Sequence, residues 1–212
     1  DQLLIRIQID GILYLTLNNP DRRNSLSSHL LAELKDSFAD IQDDPTVRVV
    51  VVRSEGPAFS SGHDLNELVN RDTESYSSLF AACTSVMEAI RLSPKPVIAE
   101  VQGLATAAGC QLVASCDLAY SANDAMFATP GVNIGLFCST PMVAVSRKVN
   151  RKRMMKMLLT GEPIKANYAK EIGLINDHFS KSKLNSEVLK LAKNIASKSN
   201  LTIKIGKQAF YK

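Results

Sequence analysis

The sequence has no apolar run long enough to cross a bilayer, so no helical membrane span is expected within it. Its four cysteines, Cys83, Cys110, Cys116 and Cys138, form no C-x-x-C pair. They stand in apolar contexts and read as reduced, buried thiols of a cytosol-like compartment, and no metal site is assigned. No low-complexity tract and no linker of distinct composition interrupts the 212 residues, which is the length of one ordinary domain or a little more. Neither sign of charge dominates, with 25 lysines and arginines against 21 acidic residues. A net charge of +4 is a weak argument for a polyanionic partner, and a solvated surface explains it as well. The chain opens on Asp1-Gln-Leu-Leu, which reads as a strand. No targeting peptide is seen in this stretch, and that says nothing about location.

What is present is an ordinary apolar fraction of 45% arranged in strong local patterns. Leu3 to Ile9 and Ile12 to Leu17 alternate around Asp10-Gly11, a hairpin signal. A polar loop follows, and Ser27 stands where it can cap a helix running through Gln42. Val47 to Val52 is a continuous β-branched run, expected to be a buried parallel strand. Tyr76, Leu79, Phe80, Cys83, Val86, Met87 and Ile90 form one apolar helix face that reads as core packing. Val97 to Val101 and Asp117 to Ser121 read as further strands, and Cys110 to Cys116 as a compact helix between them. Helices are expected over Met142 to Val149, Arg151 to Leu159, Ala166 to Glu171, Leu184 to Ser197 and from Leu201 onward, with Ile175 to Phe179 extended. Repeated strand, bend and helix predict an α/β domain with helices wrapped on a sheet.

Two Gly-rich bends each follow a strand: Glu55 to Leu65, and Gly103 to Gly109 leading into Gln111. Bends of this kind can aim free backbone N–H groups at one point. Two converging donors stabilise an oxygen that becomes negative during reaction. Plain turns have the same spacing, so residue types alone leave both readings open.

Ala58-Phe-Ser-Ser-Gly-His-Asp-Leu-Asn-Glu67 and Pro96 through Asp117 resemble the two signatures of the crotonase (enoyl-CoA hydratase/isomerase) family. Leu17 to Leu26, Phe127 to Gly131 and Leu159 to Ile164 are similar to its other landmarks, in the right order, so the resemblance spans essentially the whole chain. Ser60 to Leu65 and Gly135 to Pro141 are most similar to a mitochondrial branch, which implies a mitochondrial location. The resemblance implies a ClpP/crotonase-like spiral of β-β-α turns. Residues 1–212 would form a single domain that lacks the family's C-terminal helices, and self-association as a trimer or hexamer would follow in the full-length protein. It implies an acyl-CoA thioester as substrate or ligand, in fatty-acid metabolism, and no other cofactor. The N–H groups of His63 and Ala108 would form the oxyanion hole. Arg22, Arg23, Ser25, Leu26, Ser61, Asp64, Leu65, Asn66 and Ser139 would contact the ligand, with the arginines suited to phosphates.

The chain departs from the family at two positions. Hydratases of the family carry glutamates where this sequence has Gln111 and Gly131. Neither replacement has a proton to exchange near neutral pH, and each general acid or base is worth about 10²–10⁴ in rate. Ordinary hydration is therefore expected to be severely impaired, while a backbone oxyanion hole survives. The alternatives are a catalytically silent acyl-CoA-binding or regulatory protein, and an RNA-binding homologue. For RNA, Arg151-Lys-Arg153 and Lys190, Lys193, Lys198, Lys204 and Lys207 are available. Without interleaved aromatics they read better as a solvated face. Other groups near the bends have ordinary readings: packing or CoA contact for the His63 side chain, ligand contact or helix start for Asp64 and Glu67, a water partner at most for Asn133, Ser139 and Thr140. Cys138 would be a nucleophile only with a depressed pKa. Asp117 reads as an anchor, Glu162 as a helix-start residue, and His29 and His178 as structural or exposed.

Overall fold

The chain was analysed as a computed structural model that describes residues 2–212. Asp1, read above as the start of a strand, lies outside the described residues. The hairpin forms as expected from β1 (Leu4–Ile9) and β2 (Ile12–Leu17). Asp10 and Gly11 take φ +52° and +79°, the two positive values that a tight two-residue hairpin turn requires. Ser27 accepts from the Leu30 amide and caps α1 (Ser28–Asp40). Its carboxylate neighbour in space is Glu67, which accepts from the Ser28 amide (3.0 Å) and hydroxyl (2.6 Å).

Three strand-strand-helix units then follow in order: β3 (Val49–Ser54), β4 (Ala58–Ser60) and α2 (Thr73–Leu92); β5 (Val97–Val101), β6 (Leu104–Thr106) and α3 (Ala108–Ser115); β7 (Leu118–Ala122), β8 (Met126–Ala128) and α4 (Ser139–Ser146). The rest is α5 (Arg151–Thr160), β9 (Ile164–Lys165), α6 (Ala166–Glu171), β10 (Asp177–Phe179), α7 (Lys181–Ala196) and α8 (Asn200–Phe210). The first strand of each unit joins a six-stranded sheet ordered β1-β2-β3-β5-β7-β10, parallel except for the β1–β2 hairpin. The second strand joins a smaller sheet ordered β4-β6-β8-β9, in which β4, β6 and β8 run parallel. This is the β-β-α spiral that the resemblance implied.

Val49 to Val52 are fully buried, as the β-branched run predicted, because α7 crosses one face of the large sheet. The residue patterns by themselves did not show the small sheet. Its strands are two or three residues long, too short for an alternating pattern to register. Three other readings are corrected. Phe80 leaves the apolar stripe of α2: it is 37% exposed, with its ring edge-on to His63 at 5.3 Å. Glu162 does not start a helix; it follows Gly161, whose φ of +63° ends α5. Lys207 is not part of a solvated face. Its ammonium is buried and donates to Ile90 O (3.1 Å), Lys95 O (2.9 Å) and Asp117 Oδ2 (2.6 Å), so all three hydrogens have partners. Asp117 is the anchor expected of it, because it also accepts from the Val97 amide and from the Tyr211 hydroxyl.

Candidate functional site

β4, β6 and β8 lie side by side and run the same way, so the bends that follow them meet along one edge of the small sheet. The first bend carries Gly62 and His63, the second Ala107 and Ala108, the third Thr129 to Gly131. The bends are bonded to one another. Thr106 Oγ1 donates to Ser61 O at 3.0 Å, and the Ala107 amide donates to Ala128 O at 3.0 Å. The mouth of a parallel sheet at the carboxyl ends of its strands is a common place for ligand sites.

Glycine permits this closeness at two positions. A methyl group on Gly62, whose φ is +93°, would stand 2.9 Å from the Ala107 Cβ and 3.2 Å from the Ala108 nitrogen. One on Gly109 would stand 2.3 Å from Ser60 O. The start of α3 is thus pressed onto the end of β4. Ala107 takes φ +50° and ψ −121°, a conformation a residue with a Cβ rarely adopts. Its amide bond to Ala128 and the Gln111 amide bond to its carbonyl (3.0 Å) hold it there.

Ala108 is the first residue of α3, so its N–H has no acceptor within the helix. His63 pairs with Leu26 through the Leu26 amide and Gly62 O (2.7 Å), a bond that leaves the His63 N–H outside the ladder. Two backbone donors therefore remain on adjacent bends.

Polar groups here are unusually short of partners. The buried side-chain atoms without a hydrogen bond among the described residues are Glu33 Oε2, Arg48 Nε, both His63 ring nitrogens, Gln111 Oε1 and Thr129 Oγ1. The last four belong to the three bends or the helix they start. Buried polar groups are normally paired, so a concentration of unpaired ones leaves donors and acceptors there for water or a ligand. Burial lowers the His63 pKa below its usual value, against a smaller opposing pull from the Leu26 backbone and Glu67. The ring is neutral near pH 7. Thr129, next to the Ala128 that accepts from the Ala107 amide, was not suggested by the sequence; its unpaired buried hydroxyl draws attention to it.

Gly131 and Gln111 occupy the third bend and the first turn of α3. Gln111 is 6% exposed. Gly131 has no room for a side chain. A methyl group there would lie 3.0 Å from both Cys138 Sγ and Leu136 O, because the segment before α4 folds back onto it. The Gly131 amide donates to Cys138 Sγ at 3.3 Å. Burial raises the Cys138 thiol pKa, opposed by that amide, so the condition set for a nucleophile is not met.

The other ligand-contact candidates form one cluster beside the first bend, except Ser139. Arg22 pairs with Asp64 at 3.2 Å, and the Ser61 amide donates to Arg23 O. Ser25 and Leu26 are buried beneath the loop, while Arg22, Arg23, Leu65 and Asn66 are exposed. Asp64 accepts from the Asn66 amide and Glu67 caps α1, so both nearby carboxylates are committed to structure. Asn24, which the sequence did not single out, ties this loop to Glu55 O and Ala58 O at 2.8 Å each. Ser139 lies apart, at the exposed start of α4 next to Cys138. Among the described residues no group of His, Cys, Asp and Glu is arranged to hold a metal ion.

Beyond Gln111 a cavity of about 600 Å³ opens between α2, α3, α4 and the end of α8.

A β-β-α spiral with two free N–H donors on adjacent strand ends is the architecture of the crotonase fold. Residues 8–212 match the enoyl-CoA hydratase/isomerase family, and the chain belongs to it. The chain is 48% identical over 206 residues to the mouse protein named enoyl-CoA hydratase domain-containing protein 3, mitochondrial, covering 97% of this chain and 69% of that one. It superimposes on the crystal structure of the human protein of that name with a TM-score of 0.97 at 46% identity, covering 99% of this chain and 83% of the other. An enoyl-CoA hydratase structure from Mycobacterium smegmatis gives a TM-score of 0.98 at 46% identity, with 100% and 83% covered.

Proposed function

We propose that the protein binds acyl-CoA thioesters and polarises their carbonyl between the N–H groups of His63 and Ala108, without adding water in the ordinary way. The observation that carries this reading is the combination at one sheet edge. Two backbone donors are intact, while the flanking side chains are Gln111 and a Gly131 closed over by Leu136 and Cys138. Oxyanion stabilisation needs only the backbone. Hydration needs a water deprotonated and a proton delivered to the α-carbon, and no free carboxylate stands at these bends. The exposed Arg22 and Arg23 beside the first bend suit the phosphates of CoA. The naming of close relatives supports a mitochondrial location. Exposed Ile134, Leu136 and Phe137 support self-association as a trimer or hexamer.

Calorimetric titration with butyryl-CoA and crotonyl-CoA, followed by a hydration assay on crotonyl-CoA, tests the reading. Binding of both without appreciable hydration is expected. Rapid hydration by the wild type would remove the argument from Gln111 and Gly131, and failure of both to bind would remove the oxyanion site.

A further inference from the structure

The cavity beyond Gln111 has one chemically distinct end. α2 contributes Glu88 and Arg91 to its lining, and the turn that ends α4 contributes Arg147 and Lys148. With Lys212, four cations face one carboxylate there. None of these five side chains is in an ion pair among the described residues. Two of the cations are fixed around one ring. The Arg91 guanidinium lies 5.8 Å from the centre of the Tyr211 ring and donates to Tyr211 O at 3.2 Å, and Lys148 Nζ lies 5.9 Å from the same ring. Tyr211 is tied in turn to Asp117 Oδ1 at 2.9 Å. Asp117 follows the end of α3, whereas Ala108 and Gln111 are at its start. The cationic end is therefore the far end of the cavity from the oxyanion donors. The remaining charges there, Asp117 and Lys207, neutralise each other.

Between the two ends the wall is mixed, with Met87 and Val143 beside Thr84 and Thr140. The lining face of α2 runs from Thr84 to Arg91, seven residues or about 10 Å of helix. A plain alkyl chain laid along it would end against unpaired guanidinium and ammonium groups. A chain ending in a carboxylate would instead meet charge-assisted donors, including a planar Arg fork.

We propose that the cavity selects acyl-CoA thioesters whose acyl chain carries a terminal carboxylate, bound by Arg91 and Lys148 with Arg147 at the rim. This rests on the acyl-CoA reading given above. The neutral amide of Gln111 fits the same ligand, since a glutamate there would add a negative charge to the path of an anionic chain.

Adipoyl-CoA and hexanoyl-CoA have equally long acyl chains and differ by the terminal carboxylate, so their affinities for the wild-type protein test the proposal. Adipoyl-CoA is expected to bind at least about fivefold tighter, with the difference shrinking at high salt. Arg91→Met and Lys148→Met should each reduce that ratio, and Glu88→Gln, at an exposed position without a partner, should raise it. Circular dichroism checks that the variants fold, and the Glu88→Gln and salt results stand if the others do not. Equal or tighter binding of hexanoyl-CoA overturns the proposal while leaving the oxyanion site intact. Binding of neither thioester overturns both.

Discussion

The Gly131 amide donates to Cys138 Sγ at 3.3 Å, and the space a side chain at 131 would enter is already filled by Cys138 and Leu136. The packing of the third bend therefore leaves no room for a side chain at 131. Gly131→Glu is expected to lower stability by about 1–3 kcal/mol, the usual range for overpacking. Cys138→Ala in the same chain should recover part of the loss. Urea titration measures both. A Gly131→Glu protein as stable as wild type would show that the Leu136–Cys138 segment yields freely. Gln111→Glu alone should not give efficient hydration of crotonyl-CoA, since the second carboxylate is still absent.

Gly109→Ala separates helix propensity from packing. Within a helix, alanine is favoured over glycine by about 1 kcal/mol. Here the added methyl would sit 2.3 Å from Ser60 O, which is backbone and cannot swing away. The variant should be destabilised and should lose acyl-CoA binding, because α3 must move off β4 and take the Ala108 N–H with it. A rise in melting temperature would contradict this contact.

His63 sets a pH dependence. Its imidazole is buried and its pKa lies below the usual 6.5, so the folded state disfavours the protonated ring. The stability tied to the neutral ring is fully present above pH 6.5 and is lost as pH falls through the lower folded-state value. Glu100, whose pKa burial raises, acts in the opposite sense, since its stability is gained as pH falls through that raised value. The difference between wild type and His63→Gln isolates the histidine. Between pH 7.5 and 5 the variant should lose less stability than wild type, while keeping the backbone N–H proposed as an oxyanion donor.

Removing one partner from the Lys207–Asp117 pair leaves the other largely buried, with side-chain exposures of 8% and 18%. Lys207→Met should cost about 3–5 kcal/mol, the range for breaking a buried pair. It should also loosen Tyr211 and so weaken the cationic end of the cavity. A double-mutant cycle with Asp117→Asn measures the coupling, and no coupling would mean that the two contacts act separately.

The cysteines should be silent in the native state. Burial pushes the thiols of Cys83 and Cys110 up to about 12 and raises Cys116 and Cys138 as well. At pH 7.5 a disulfide reagent should label them only after unfolding. Fast labelling of one thiol in the folded protein would place a thiolate at the site after all.

Where a structure depends on near neighbours in the chain, the sequence was mostly enough, Glu162 and Phe80 being the exceptions. Asp10-Gly11 made the hairpin, Ser27 capped α1, and the Val47 to Val52 run became a buried parallel strand. That Gln111 and Gly131 stand on the first turn of α3 and on the third bend follows from their places beside α3 and β8. The meeting of the three bends was not visible. It depends on β4, β6 and β8, each three residues long and far apart in sequence, becoming neighbours in one sheet. Strands that short carry no periodicity. The same holds for Lys207, which seemed one of a solvated series until the fold brought Asp117, Ile90 and Lys95 around it. The sequence by itself determined the local elements and which chemical groups each bend would carry. Only the tertiary structure decided which groups face one another and which lie free, because those pairings are made between residues that no local period connects.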